Sequence, residues 1–271
     1  DREWINLSAH LNVMCVTDYN QDSLLLVDIG GNLLVNLNDM TAKGWGPLVQ
    51  KTVRQFKQSC LLQGFGYGDA DMINFVDEAG NRISPPGSTG EGIGKAISRV
   101  AHTYGVTHVI PFSSLHKYQR EDSVWAREYS AGLDDFRTGF DSDRCELLPA
   151  YISHDNTTGS YRLINPPETP DTVLDPKEFG DDWSEHLEAK EAKAINQYFR
   201  SIQHLETAMD FIDIRVGGED NIIELRKKGF KKGIVFEAPR HSLMRAIRFE
   251  IFDDLLIGNF MRTRLVGQWP R

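Results

Sequence analysis

The sequence predicts a layered α/β protein followed by a small α+β domain. Three observations carry this. Apolar runs of strand length recur at 11–17, 24–29, 33–37, 60–62 and 106–112. Two stretches of helical period, 47–58 and 91–104, lie between them. The resulting order over 24–112 is hairpin, helix, strand, long loop, helix, strand. That is the pattern of a sheet with helices packed on it, where sites gather at the C-terminal ends of strands.

Taken in order, residues 11–17 (LNVMCVT) make the first strand. The runs 24–29 and 33–37 are joined by Gly30, Gly31 and Asn32, residues that accept the positive φ of a tight hairpin turn. The second run empties into Asn36, Asn38 and Asp39, which reads either as loop punctuation or as a sheet edge presenting ligands. Pro47 suits the first turn of a helix that places Leu48, Val49, Val53 and Phe56 on one face. The strand 60–62 leads into Gly64, Gly66 and Gly68, whose spacing is not the dinucleotide fingerprint. After a loop over 77–90, the helix 91–104 aligns Ile93, Ile97, Val100 and Ala101 and stops at Gly105. Its start, Gly90 to Lys95, is no P-loop: Thr89 and Ala96 stand where Gly and Ser/Thr are needed. The strand 106–112 ends in a polar stretch, 113–120.

Beyond 121 the pattern weakens. Residues 124–131 read as helical and 147–149 as a short strand. The proline- and acid-rich stretch 165–180 reads as a linker between an α/β region, 1–164, and a small α+β domain, 181–271. That domain opens with a long helix, 183–206, striped by Ile195, Tyr198, Phe199, Ile202 and Leu205. Strands follow at 209–216, 221–225 and 233–238, then a helix at 240–248 and an apolar segment at 251–260.

A net charge of −9 argues against general nucleic-acid binding. The C-terminal fifth is nonetheless basic, which reads first as a solvated face or an internal interface. Cys15, Cys60 and Cys145 form no C-x-x-C pair, so neither a disulfide framework nor a zinc knuckle is suggested. No apolar run reaches membrane-spanning length, and no signal peptide is visible, so a cytoplasmic protein is expected. The first residue is not methionine, which suggests a processed form or a fragment.

Among the eight histidines, His116 and His154 stand apart because each follows a strand in a polar loop. Between 116 and 122, His116, Tyr118, Arg120 and Asp122 concentrate an imidazole, a phenol, a cation and a carboxylate. That mixture suits an anionic substrate, or equally an ion-paired surface turn.

The run LLLVDIGGNLLVNLNDM, the helix–strand–helix that follows and THVIPFSSLHKY together resemble the C-terminal half of a metallo-β-lactamase fold. The nearest branch holds L-ascorbate-6-phosphate lactonase and the non-Rieske part of CMP-N-acetylneuraminate hydroxylase. The final stretch from Pro239 is similar in layout to the end of the latter. The resemblance implies half of a layered αββα sandwich and a divalent metal: zinc, iron or manganese. It implies Asp39 as the metal-bridging aspartate, with His116 and His154 as further metal ligands. Tyr118 and Arg120 would contact a small anionic, sugar-like, ester or lactone substrate. The H-x-H-x-D-H motif of that fold is absent here, and a second chain or an N-terminal half would supply those ligands. The activity implied is metal-dependent hydrolysis. A metal-free binding or scaffold subunit, and an iron-dependent oxygenase, are the alternatives.

Overall fold

In the computed structural model the described residues are 3–17, 22–38, 40, 44–64, 73–83, 91–112, 115–155, 157–226 and 229–269. Two units hold most contacts within themselves. The first comprises Asp1–Gly66, Glu91–His116 and Ala131–Thr169, and the second Tyr67–Gly90, Lys117–Ser130 and Pro170–Arg271. The sequence placed the division at 165–180. Two earlier excursions, 67–90 and 117–130, also belong to the second unit, because one of them carries a strand of its sheet.

The first unit begins as an antiparallel meander of β1 (Ile5–Ser8), β2 (Leu11–Thr17), β3 (Ser23–Ile29) and β4 (Asn32–Asn38). Helix α1 (Gly46–Val53) returns the chain to β5 (Ser59–Gln63), which lies parallel to β4. The short β6 (Phe75–Val76) belongs to the second unit. Helix α2 (Ile93–Tyr104) then leads to β7 (His108–Val109), and α3 (Leu133–Arg137) to β8 (Glu146–Leu147). Both strands extend the parallel half, giving the order β1-β2-β3-β4-β5-β7-β8. An antiparallel hairpin, β9 (Ile152–His154) and β10 (Tyr161–Leu163), completes the unit.

The sheet is two-faced, and register shows how. Met14, Leu26, Val35, Leu61, Val109 and Leu147 are direct neighbours on successive strands. The first five are buried and form one core with Val49 and Val53 of α1, Ile97 and Ala101 of α2, and Phe136 of α3. One residue along, Ile5, Val13, Val27, Leu34, Cys60 and His108 form a second row on the opposite face. That row is only half-buried, and Ile5 is 59% exposed. Helix α2 ends where the sequence predicts, at Gly105, whose φ of 74° is left-handed. Its start is held close to α3: a Cβ on Gly94 would run into the carbonyl oxygens of Phe136 and Thr138.

In the second unit, the helix expected over 183–206 is two helices, α4 (Ala189–Ser201) and α5 (Leu205–Ala208). The backbone N–H of Glu188 donates to Glu191 Oε2 at 2.9 Å, fixing the start of α4. Ile202, with φ −86° and ψ 86°, leaves helical geometry and ends it. Strands β11 (Phe211–Val216), β12 (Glu219–Glu224) and β13 (Gly233–Glu237), helices α6 (Arg240–Phe249) and α7 (Asp254–Ile257), and β14 (Arg262–Val266) follow. The sheet order is β12-β11-β13-β14-β6. Ile212, Ile214 and Val216 of β11 pack with Ile195 and Phe199 of α4 and Leu243 and Ile247 of α6. Within the stretch that reads as helical, Val124–Tyr129 form a 3-10 helix. Among the described residues, no helix is long and apolar enough to cross a membrane.

Candidate functional site at the strand ends of the first unit

In the parallel half of the first sheet the C-terminal ends of β4, β5 and β7 lie side by side. Gly64 N–H donates to Asn38 C=O at 2.9 Å, and Gly64 bridges in parallel to Phe112. Asn38 ends β4 with φ at 47°, a left-handed conformation that asparagine tolerates better than most residues. Its N–H donates to Asn36 Oδ1 at 3.0 Å, an asparagine side chain holding the backbone just before the strand stops. Beside it, Gln63 turns a buried Oε1 that has no hydrogen-bond partner among the described residues. A buried acceptor of this kind is costly unless a donor reaches it, and such groups gather at functional sites.

Asp39 follows Asn38 directly and lies outside the described residues. So do Ser113 and Ser114, the glycine-rich stretch 65–72 and the loop 84–90. His116 is half-buried and belongs to the first unit, the one that contains Asn38.

The other expected site residues are placed differently. Tyr118 and Arg120 belong to the second unit. Tyr118 is buried, and its hydroxyl accepts from Asn259 Nδ2 at 2.8 Å. Arg120 donates from Nε and Nη2 to the two carboxylate oxygens of Asp122, at 3.0 and 2.8 Å, and from Nη1 to Asp181 at 2.7 Å. Phe260 stacks on the guanidinium at 4.1 Å. Burial alone would lower the Arg120 pKa. The bonds to Asp122 and Asp181 outweigh it and hold the group charged, above its ordinary value. An incoming substrate anion would have to displace one of these carboxylates.

His154 lies elsewhere too. It sits on β9 and lines a cavity with Asn32, Leu34, Cys60 and His108, its ring 6.4 Å from that of His108. Of the β4 residues that line it, Leu34 is the nearest to the strand end, four steps of about 3.3 Å, or roughly 13 Å, before Asn38.

Among the described residues, no group of three or more His, Cys, Asp and Glu side chains could hold a metal ion. The described donor set therefore does not fit a divalent metal by itself. Burial also keeps the two inner thiols protonated at neutral pH. Burial, with Cys145 adding to it, pushes Cys60 up to about 12, and burial, with Glu146 adding to it, pushes Cys145 to about 11.

The sequence missed Gln63 and the grouping of Cys60 with His108 and His154. Which residues share a face follows from strand pairing, which no local pattern encodes.

Comparison of the chain with known protein families, with curated proteins and with solved structures found no match.

Proposed function

We propose that the first unit is the helix-backed half of a layered sandwich. In this reading a second layer, from another segment or another chain, covers the open row of its sheet. The observation that supports it is the register itself. A sheet meant to face water on one side alternates apolar and polar residues. Here the row of Ile5, Val13, Val27, Leu34 and Cys60 is apolar, although only the opposite row is covered by helices. Exposed apolar area of this kind marks an interaction surface.

The activity that goes with this half-sandwich is metal-dependent hydrolysis of a small anionic substrate. Asp39 and His116 would be this chain's contribution to the metal, and the second layer would provide the remaining donors. Zinc sites need three or four protein donors, more than any group among the described residues offers. The alternative, a metal-free binding or scaffold subunit, draws support from the lack of a three-donor group among the described residues.

Metal analysis of the full-length protein with its natural partners separates the two. The hydrolase reading expects stoichiometric divalent metal, lost in Asp39→Ala and reduced in His116→Ala. A preparation carrying no stoichiometric metal removes that reading and leaves the scaffold subunit.

A further inference from the structure

On the open face of the first sheet, at the N-terminal ends of β4 and β5, lies a cavity of about 180 Å³. Leu34, Cys60 and His108 line it from three adjacent strands, in register. Ile110 and Leu148 add apolar surface, and His154 brings a second imidazole whose ring plane lies at 57° to that of His108. No Asp, Glu, Lys or Arg lines it. Because burial keeps the Cys60 thiol protonated, that residue acts there as a small apolar group.

Size narrows the occupant first. Apolar cavities of about 150 Å³ bind benzene. This one therefore takes a single ring with one small substituent.

The polar chemistry narrows it further. Thr107 Oγ1 donates to Ser59 C=O at 2.9 Å and accepts from Ser59 N–H at 2.9 Å. Its one proton is thereby used, so in its 2.8 Å contact with His108 Nδ1 the imidazole is the donor. With the ring proton on Nδ1, Nε2 is the acceptor atom of that tautomer. Glu146 stands 3.8 Å from that atom, beyond hydrogen-bond range. A carboxylate ligand would meet a lone pair and the Glu146 charge together. An ammonium ligand would lose its hydration in a cavity whose lining holds no counter-charge. A hydroxyl meets neither obstacle.

We propose that this cavity binds an uncharged single-ring hydroxyl compound of the phenol class. Its hydroxyl donates to His108 Nε2, and its ring rests against Leu34, Cys60, Ile110 and Leu148. The site shares Leu34 and Cys60 with the row that the proposed second layer would cover, so it is a site of this chain without that layer, and it does not depend on the hydrolase reading.

Calorimetric titration of the full chain with phenol, toluene and benzoate tests it. Phenol is expected to bind tighter than toluene by roughly five- to tenfold, the factor for one net hydrogen bond, and benzoate more weakly than phenol. His108→Phe keeps a ring in place and removes the acceptor, so phenol affinity should fall to that of toluene. Leu148→Trp, which fills the cavity, should abolish both. Circular dichroism establishes that each variant is folded, and the wild-type ranking stands as a test if either is not. Equal affinity for phenol and toluene, unchanged phenol binding in folded His108→Phe, or no binding of phenol up to about 10 mM overturns the proposal.

Discussion

Replacing Asp181 with alanine should destabilise the second unit by about 3 kcal/mol, and the figure can be assembled from its contacts. The Asp181 carboxylate is buried and accepts three bonds: Arg120 Nη1 at 2.7 Å, Ser242 N–H at 2.9 Å and Ser242 Oγ at 2.7 Å. Ser242 lies in the first turn of α6, so the bond to its N–H is a helix cap provided from outside the helix. Losing a cap costs about 1 kcal/mol. Removing one partner of a buried ion pair costs about 3–5 kcal/mol when the other charge is stranded. Arg120 is not stranded, because Asp122 holds it through two bonds and Phe260 stacks on it, so about 2 kcal/mol is the appropriate share. Against a total stability of about 5–15 kcal/mol, this is a large fraction. Urea unfolding at neutral pH reads it directly. Asp181→Asn, which can still accept from Ser242, should lose less than Asp181→Ala. A cycle with Arg120→Met isolates the ion pair and should show coupling above about 1 kcal/mol. A loss below about 1 kcal/mol for Asp181→Ala, or strict additivity in the cycle, would refute the view that Arg120 is held as structure. It would then be free to serve a substrate anion.

Two further outcomes follow from burial. Near pH 8, iodoacetamide should alkylate exposed Cys15 while Cys60 and Cys145 stay protected until urea is added, since burial keeps their pKa values at about 12 and 11; equal rates for all three in the folded protein contradict this. Burial, with Asp220 adding to it, raises the Asp213 carboxyl above its ordinary 3.8, so its favourable contribution is full below that pH and lost as pH rises through the folded value. Asp213→Asn can still accept from Asn221 N–H, so its urea midpoint should exceed wild type at pH 7 and match it near pH 3; no difference at pH 7 shows the burial cost to be absent.

How much of this was legible depends on how local the signal is. The β2–β3–β4 meander follows the sequence runs closely, because Gly30, Gly31 and Asn32 mark the turn and both flanks are Leu- and Val-rich. The end of α2 was equally plain, since Gly105 is where a left-handed residue is needed. By contrast, β1, β6 and β14 exist through their partners. Phe75–Val76 is a two-residue strand that pairs with Thr263 and Arg264, far away in sequence. No periodicity can be read from two residues, and this pairing is also what carries 67–90 into the second unit. Arg120 shows the same limit at the level of the site. Its cluster of charges was visible, but whether they face a ligand or one another rests on Asp181, sixty-one positions on. The Leu34–Cys60–His108 grouping needed the register of three strands.

Strand β4 carries both the apolar row and the polar strand end. Its covered positions, Leu33, Val35 and Leu37, are buried at 2%, 0% and 2% exposure, so one face is settled by the helices. Its open positions run Asn32, Leu34, Asn36 and Asn38: apolar in the middle and amide at the C-terminal end. Leu25 and Leu62 flank Asn36 in register, so the open face keeps its apolar character on either side of this strand. A solvent face would not need those leucines, and a wholly dry interface would not tolerate Asn36 and Asn38 unless their amides were satisfied. Both asparagines make sense if the covering layer is apolar over the row through Leu34 and gives way, at the strand end, to a polar site. There Asn36 Oδ1 already holds the Asn38 N–H, and the left-handed turn at Asn38 is what leads the chain into Asp39. The apolar row and the polar strand end are therefore consecutive parts of one face. In the proposed reading, a second layer that covers the row would bring its own strand ends to the edge where the described donors are too few to hold a metal.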